Sequence, residues 1–459
     1  MADDTIMYRS LEAAASALDS GATTARALAE AALARIADPS GEGARAFVAV
    51  QAEAALAAAD AMDALRRSGR ASSRWAGVPI SIKDLYDQRE VVTRAGSVAL
   101  DDTPPASRTA PSVARLERAG FVVLGRTNMT EFAFSGLGVN PHFGTPLSPW
   151  DRATGRLPGG SSSGAGVAVA DGMGLAGLGS DTGGSCRIPA ALCGVVGWKP
   201  TARRVPLAGT VPLSHTLDSL GPLANTAACC AVLDALMSGE EEGEAPAPAD
   251  LSRARLGVPR GSYLFHDTEG AVARAFDAAL RALEAAGARV EDADIPALAA
   301  IPASVARYGT FAAAEAHAWH APLLARRGGD YDPRVRVRIE RGAGMSAADY
   351  LGLAAERARV VAAAWAEADG FDALLCPTVP MLPPPLAAVE REDEYGRINL
   401  ALLRNPTAGN FLDGCSISLP CHAPGEGPVG LMLTARGGED RRLLALARGV
   451  EAALAPARG

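Results

Sequence analysis

The sequence predicts an α/β protein, in which short buried strands alternate with helices. The first observation is this alternation itself, since helix-like segments are repeatedly followed by apolar runs of strand length. The second is that residues 255–295 contain a strand, a long helix and another strand in succession. The third is a composition rich in alanine and with only 5% aromatic residues, which favours helices whose small side chains pack closely.

The elements can be placed in order along the chain from capping residues, apolar spacing and chain breaks. The predicted helices are two within 8–36, separated by the break and cap DSGATT, and then 51–67, 112–120, 165–170, 270–287, one or more within 303–325, 346–368 and 440–454. The predicted strands are 46–50, 76–82, 121–128, 255–259, 288–295, 372–377, 415–420 and 428–435.

The domain organisation follows from one acidic, proline-rich segment. A length of 459 residues suggests two or three domains, and residues 238–250 (SGEEEGEAPAPAD) are predicted to form a surface linker. The predicted strands on both sides of this linker have the same apolar character. We therefore expect one large domain over residues 1–459, with a helical segment over about 1–70.

Charge and hydropathy exclude two classes of partner. The net charge is −8, and the only cluster of basic residues is Arg334, Arg336, Arg338 and Arg341, which we interpret as a solvated helical face rather than a nucleic-acid footprint. No apolar run approaches the roughly 20 residues of a membrane-spanning helix. The N-terminus, MADDTIMYRS, lacks the pattern of a signal peptide. We expect a cytoplasmic protein, and the sequence leaves a homodimer open.

The cysteines give no support to a metal site. There are seven, an odd number, and no CxxC pair occurs. We expect reduced and mostly buried thiols.

Three segments concentrate serine, glycine and lysine in a way that core packing does not explain: SIKDLYD (81–87), LPGGSSSGAG (157–166) and GSDTGGSCR (179–187). In the last of these, Thr182, Gly183, Gly184 and Ser185 offer consecutive backbone N–H groups that can converge on an anion. Ser185 could then attack a carbonyl while the loop binds the developing oxyanion. A plain tight turn is the alternative, and this segment alone does not decide between them.

A serine nucleophile needs a base. None of the six histidines stands in a glycine-rich or strand-end setting, whereas Lys83 and Lys199 are the only lysines among 44 basic residues. A buried lysine can lose its proton and an arginine cannot. Lys83 ends an apolar strand, where α/β sheets place ligands, so it is the candidate base. Lys199 is interpreted as structural.

The hydroxyls of Ser161, Ser162 and Ser163 could carry a proton from Ser185 to Lys83. A flexible linker is the alternative for this segment, but the apolar helix that follows does not fit a linker.

Two familiar motifs are set aside. Residues 160–164 fit G-x-S-x-G, but no buried strand precedes them, as a nucleophile elbow requires. Residues 172–177 fit G-x-G-x-x-G, but the chain breaks before any helix that could complete a dinucleotide site.

Taken together, these segments resemble the amidase signature family of serine hydrolases. The resemblance rests on GGSSSGAG (159–166), GSDTGGSCRIPA (179–190), CGVVGWKPT (193–201) and SIKDLYD, with weaker similarity to the C-terminus. It implies a signature core over about 76–230 and a large mixed, mostly parallel central sheet flanked by helices on both faces. It also implies hydrolysis of a small-molecule amide, with no metal or other cofactor.

The resemblance further implies a Ser–Ser–Lys triad. Ser185 matches the acyl-forming nucleophile, Lys83 the base, and Ser161 the bridging serine, which the family holds in a cis peptide. The backbone N–H groups of residues 182–185 match the oxyanion hole, and Ala133 matches a substrate-binding position.

Asp181, Arg187 and Ser162 are expected around this triad. Arg187 is expected to brace the loop through carbonyls or Asp181, the alternative being that it holds an anionic substrate group. Ser148 and Cys186 depart from the residues usual in the family without breaking the triad.

Two alternatives remain within this resemblance: a glutaminase-type subunit of a tRNA-dependent amidotransferase, and a non-catalytic scaffold. Residues 125–145, 303–340 and 376–412 are expected to set specificity, the last of these as a loop. The sequence does not identify the amide.

Overall fold

The computed structural model describes residues 10–240 and 243–458, with side chains to residue 455. Within them, eleven strands form one sheet. The strands are β1 (Phe47–Val50), β2 (Pro79–Lys83), β3 (Val122–Thr127), β4 (Ala176–Asp181), β5 (Val196–Lys199), β6 (Ser219–Ala224), β7 (Arg255–Val258), β8 (Arg289–Asp292), β9 (Ala373–Pro377), β10 (Cys415–Pro420) and β11 (Gly430–Ala435). Their order is β1-β3-β2-β4-β6-β5-β10-β11-β9-β7-β8.

Antiparallel pairs outnumber parallel pairs in this sheet. Among the described strands the parallel pairs are β2–β3, β2–β4, β7–β8 and β7–β9, and the other six are antiparallel. The α/β class and the large mixed sheet are confirmed, but the expectation that parallel pairing predominates is wrong. One reason is short connections: residues 421–429 join β10 to β11, and a parallel crossover needs about a dozen residues or more.

Most of the described α-helices lie in segments predicted to be helical, but those over 43–46, 187–193, 227–238 and 392–411 do not. The described α-helices are α1 (Leu11–Asp19), α2 (Ala25–Ala37), α3 (Gly43–Ala46), α4 (Ala52–Arg67), α5 (Pro111–Arg118), α6 (Ser163–Ala170), α7 (Arg187–Cys193), α8 (Ala227–Ser238), α9 (Gly270–Ala285), α10 (Ala300–Tyr308), α11 (Phe311–Arg327), α12 (Pro333–Glu340), α13 (Ala347–Glu367), α14 (Glu392–Phe411) and α15 (Asp440–Arg458). Side-chain caps explain several starts, since Thr24, Thr226 and Ser346 each accept an N–H from the first turn.

Both faces of the sheet are covered. Every residue of β2 to β6 and of β9 to β11 is buried, and successive side chains in a strand point to opposite faces. Strands from before and after residues 238–250 belong to the same sheet. The part of the linker that the structure describes is largely exposed or half-buried.

Helix α14 corrects the expectation of a loop over 376–412. Its inward residues Tyr395, Ile398, Asn399 and Leu402 have helical spacing. Pro406 lies inside the helix, and a proline at that place normally indicates a break because it cannot donate to the helix ladder.

Two other expectations are confirmed. All seven cysteines lie in the described ranges, where they are buried and form no disulfide bond. Residues 160–162 are not in a strand, and residues 172–177 lead into β4 rather than a helix, so neither motif set aside has its required context. Over the described ranges, no helix has both the length and the hydropathy that crossing a bilayer requires.

Candidate active site

The sheet topology brings the candidate lysine and the glycine-rich loop together. The neighbouring parallel strands β2 and β4 end at Lys83 and Asp181, respectively. Carboxyl ends of parallel strands open at the same edge of a sheet, where ligands bind in α/β proteins. The chain that continues from β4 over residues 182–185 therefore starts at the edge where Lys83 lies.

Lys83 is fully buried and surrounded by hydroxyl groups. Its Nζ lies 2.8 Å from Ser161 Oγ, 3.0 Å from Ser162 Oγ and 2.9 Å from Ser180 Oγ. Within the described residues it donates to no carboxylate, and the adjacent Asp84 is held by Arg126. A neutral amine can satisfy three hydroxyl neighbours by donating two hydrogen bonds and accepting one.

Burial lowers the pKa of Lys83 to about 7. The negative charges of Asp181 and Asp218 and the Cys186 thiol act in the opposite direction but do not overcome the loss of hydration. A substantial fraction of the amine is therefore neutral at pH 7, which is the state that a proton acceptor requires.

Ser161 and Ser162 sit at the start of α6, between two other loops. The Gly160–Ser161 peptide bond is cis. The Ser161 carbonyl accepts the N–H of Thr130 at 3.0 Å, and the Ser162 N–H donates to the Ser185 carbonyl at 3.3 Å. These bonds tie the serine-rich segment to the segment that carries Ser185. The Ser185 hydroxyl itself donates and accepts no hydrogen bond among the described residues.

Asp181 organises the backbone of the glycine-rich loop. Its carboxylate accepts the N–H groups of Gly184 at 2.9 Å and Cys186 at 3.0 Å. Gly184 has φ +124°, and a Cβ there would lie 2.5 Å from Pro406 Cβ, so only glycine fits. Because the Gly184 N–H already has a partner, it is not available to an oxyanion, which corrects that part of the expected donor set.

The N–H groups of Thr182, Gly183 and Ser185 donate no hydrogen bond within the described part of the chain, so three of the four expected donors remain available. Ala133 donates its own N–H to Thr130 at 2.9 Å. It therefore contributes surface rather than a donor.

Arg187 braces the loop, as expected. It is fully buried, and its guanidinium donates to Asp181 from Nη2 at 2.8 Å and from Nε at 3.1 Å. It also donates to the Pro406 carbonyl at 2.9 Å and to Asn410 Oδ1 at 2.6 Å, on α14. The positive charge of Arg187 and the hydrogen bonds from Arg187 and Asn410 hold the pKa of Asp181 below its usual range despite burial. Arg187 is thus committed to structure rather than to a substrate anion.

Replacing Arg187 with methionine should lower the free energy of unfolding by about 3–5 kcal/mol, because a buried carboxylate loses its counter-charge. Urea denaturation measures this loss. Arg26→Met is the matched control, since Arg26 pairs with Glu30 and Asp60 at the surface and should cost much less. Equal stabilities of the two variants would contradict the bracing role.

Two residues near the site were missed from the sequence. Ser180, the third hydroxyl on Lys83, lies inside β4, a strand that was not predicted. Asp218 precedes β6, accepts the Thr182 hydroxyl at 2.5 Å and the Leu213 N–H at 3.0 Å, and burial raises its pKa to about 6. A strand prediction over 176–181 would have placed Ser180 beside Lys83, whereas no sequence signal marked Asp218.

Ser185 opens into a cavity of about 340 Å³. Thr182, Gly183 and Ala133 line this cavity together with Ser185. Most of its wall is apolar and includes Leu217. All three segments expected to set specificity contribute to the wall: Ala133–Ser135 from the first, Val305, Gly309–Ala313 and Arg338 from the second, and Asn399, Leu400 and Leu403 from the third. No histidine lines this cavity in the described ranges. It is therefore the candidate substrate site.

A larger open groove of about 1020 Å³ lies elsewhere on the surface, lined by residues such as Arg203, Trp365 and Asp440. It contains neither Ser185 nor Lys83. Its size alone does not indicate a catalytic function.

Comparison with known proteins identifies the class. Residues 27–444 match the Amidase family. The chain therefore belongs to the amidase family and is an amide-hydrolysing enzyme.

Individual relatives are similar over most of the chain. The protein is 38% identical to 2-amino-5-chloromuconic acid deaminase of Comamonas testosteroni, over 87% of this chain and 86% of that protein. It is 34% identical to a glutamyl-tRNA(Gln) amidotransferase subunit of Chloroflexus aggregans, over 95% of this chain and 94% of that one. A crystal structure of an amidase superposes with a TM-score of 0.87 at 34% identity, covering 97% of this chain and all of the other.

Proposed function

We propose that the protein hydrolyses a carbon–nitrogen amide bond in a small molecule through an acyl-enzyme on Ser185. The observation that carries the proposal is the buried Lys83 amine, with three serine hydroxyls around it and, among the described residues, no carboxylate bonded to it that would hold it as a cation. A base of this kind, close to a serine that opens into a cavity, supports serine-type acyl transfer.

In the first half of the reaction, Lys83 accepts the proton of Ser161, and Ser161 accepts the proton of Ser185. The Ser185 oxygen attacks the amide carbonyl, and the N–H groups of Thr182, Gly183 and Ser185 stabilise the oxyanion. The hydrogen bond between the two serines forms when substrate is bound, since catalytic hydrogen bonds often tighten only then.

In the second half, Ser161 donates its proton to the leaving nitrogen and takes back the proton held by Lys83, which becomes neutral again. The C–N bond breaks to release ammonia or an amine. Water then enters, loses a proton through Ser161 to Lys83, and attacks the acyl-enzyme. The acid leaves, and Ser185 recovers its proton. Ser162 and Ser180 hold the amine in position throughout.

Activity should rise with pH through a midpoint near 7. The protonated Lys83 cannot accept a proton, so kcat/KM should fall by about tenfold per pH unit on the acid side of the midpoint and level off above it. Ammonia release from a panel of primary amides between pH 5 and 10 measures this profile. A flat profile, with chemistry shown to be rate-limiting, would contradict the assignment of the base.

A second candidate is a glutamine-hydrolysing subunit, which the similarity to the glutamyl-tRNA(Gln) amidotransferase subunit favours. Including glutamine in the panel separates the two. Glutamine as the best substrate by kcat/KM would favour the subunit, whereas a preference for amides with an apolar acyl group would favour a stand-alone amidase that uses the apolar cavity.

A further inference from the structure

The peptide unit that carries the Thr182 N–H lies between two residues that are held in place. On one side, Asp181 is paired with Ser219 of β6, and its carbonyl accepts the Ser219 hydroxyl at 2.9 Å. On the other side, Thr182 is buried and donates its hydroxyl to Asp218 at 2.5 Å. The contact with Asp218 therefore fixes the first residue of the loop, ahead of two glycines that have no side chain to hold.

Glu315, on α11, holds the segment over residues 213–218 that carries Asp218. Its carboxylate accepts the Ser214 hydroxyl at 2.5 Å, the Thr216 N–H at 3.1 Å, the Thr216 hydroxyl at 2.5 Å and the hydroxyl of Tyr350 at 2.6 Å. Tyr350 lies on α13. Two carboxylates in succession therefore connect α11 and α13 to the loop that faces the cavity.

Stability does not explain the charges of Asp218 and Glu315. The buried Asp181 has Arg187 as its counter-charge, whereas neither of these two carboxylates pairs with a lysine or arginine among the described residues. A buried charge without a counter-charge costs stability. Burial raises the pKa of Asp218 to about 6, and the negative charge of Glu315 acts in the same direction. An arrangement that is costly in this way indicates a role in the reaction.

We propose that Asp218 is a positioning residue: through the Thr182 hydroxyl it holds the Thr182 N–H where the oxyanion develops. This rests on the proposed function, in which that N–H stabilises the oxyanion. Asp218 itself does not line the cavity, so it acts only through Thr182. An oxyanion donor interacts more strongly with the transition state than with the bound amide, and its displacement therefore slows the chemical step without weakening binding.

The variants Thr182→Val and Thr182→Ser test this contact, with the primary amide that the wild type hydrolyses best. Valine has the shape of threonine but no hydroxyl, so kcat should fall by about 10- to 100-fold while KM changes by less than about threefold. Serine keeps the hydroxyl, and its kcat should stay within about threefold of the wild type. Wild-type kcat in Thr182→Val, or an equal loss in Thr182→Ser, would overturn the proposal.

Thr378→Val is the matched control for the loss of a buried threonine hydroxyl. Thr378 is fully buried, its hydroxyl lies 2.7 Å from Ser418 Oγ, and it does not line the cavity. This variant should lose stability but keep kcat. A loss of kcat as large as that in Thr182→Val would mean that general loosening, rather than the position of one N–H, limits the reaction, and would overturn the proposal.

Asp218→Asn tests whether the carboxylate acts through Thr182. One acceptor oxygen becomes an amide group, so kcat should fall by at least about threefold. In the Thr182→Val background the same change should have no further effect, because the contact is already absent. Unchanged kcat for Asp218→Asn alone, or a loss of equal size in both backgrounds, would contradict the proposed route.

Ser185→Ala separates this proposal from the proposed function, because an oxyanion donor assists whichever nucleophile attacks the carbonyl. Wild-type turnover in Ser185→Ala, with the expected loss in Thr182→Val, would refute the acyl-enzyme and leave the role of Asp218 standing. Wild-type kcat in Thr182→Val, with a large loss in Ser185→Ala, would overturn the role of Asp218 and leave the acyl-enzyme standing.

Discussion

Replacing Ser185 with alanine should lower kcat by on the order of 10⁴-fold or more, because the variant cannot form the acyl-enzyme. The residual rate would come from the oxyanion donors and from binding, which the change leaves in place. KM should change little, since the Ser185 hydroxyl makes no hydrogen bond within the described residues and the cavity keeps its walls. Steady-state ammonia release measures both parameters.

Ser112→Ala is the matched control for this prediction. Ser112 is also fully buried, and its hydroxyl has no hydrogen-bond partner among the described residues. It lies on α5, away from the cavity. The control should keep near-normal kcat, and comparable rates for the two variants would contradict Ser185 as the nucleophile.

Replacing Lys83 with methionine should lower kcat by about 10²- to 10⁴-fold, because the side chain of similar length cannot accept a proton. The rise in activity around pH 7 should disappear in the residual rate, since the titrating group is gone. A merely structural role for Lys83 would leave the shape of the pH profile unchanged. Rate measurements between pH 5 and 10 therefore report on chemistry rather than on folding alone.

Lys199→Met is the matched control, because Lys199 is the other buried lysine. Its Nζ donates to the carbonyls of Pro200 at 2.7 Å and Gly414 at 2.6 Å and contacts no serine of the site. This variant should lose stability but keep the pH dependence of kcat/KM. If Lys83→Met retained wild-type kcat while Lys199→Met did not, the identity of the base would be wrong.

The proposed catalytic residues stand out in the sequence because their types are unusual in their settings. Lys83 is one of two lysines in a chain that otherwise uses arginine, and Ser161 and Ser185 stand in glycine-rich segments that a core does not need. Strand ends bring such segments to one edge of a sheet, so their proximity follows from the α/β class. The structure places Lys83 and Ser161 2.8 Å apart.

The residues that were not recognised in the sequence contact residues that are far from them along the chain. Asn410 is separated by more than two hundred positions from Asp181, which it contacts at 2.9 Å, and only the packing of α14 brings them together. Pro406 lies inside that helix, at a place where a proline normally indicates a break. The hydrogen bond from the Gly184 N–H to Asp181 also depends on the geometry of the turn. A run of glycines in the sequence does not determine that geometry.

Arg338 and Arg341 show the same limit from another direction. Together with Arg334 and Arg336 they form one arginine-rich segment of the sequence. Nothing in the local sequence pattern distinguishes the arginines that pair with acidic residues from those that line the cavity. The interpretation of the whole run as a solvated face is therefore wrong for Arg338 and Arg341. The distinction arises where α12 ends against other elements. It could therefore be recognised only in three dimensions.

The charge state of Lys83 can be measured directly, because the chain contains only two lysines. Labelling with [ε-¹³C]lysine gives two side-chain signals, and the spectrum of Lys83→Met assigns them. The account predicts that the Lys83 signal titrates with a midpoint near pH 7, so that the amine is neutral when the enzyme is active. A midpoint close to the value of about 10.4 for free lysine would contradict it.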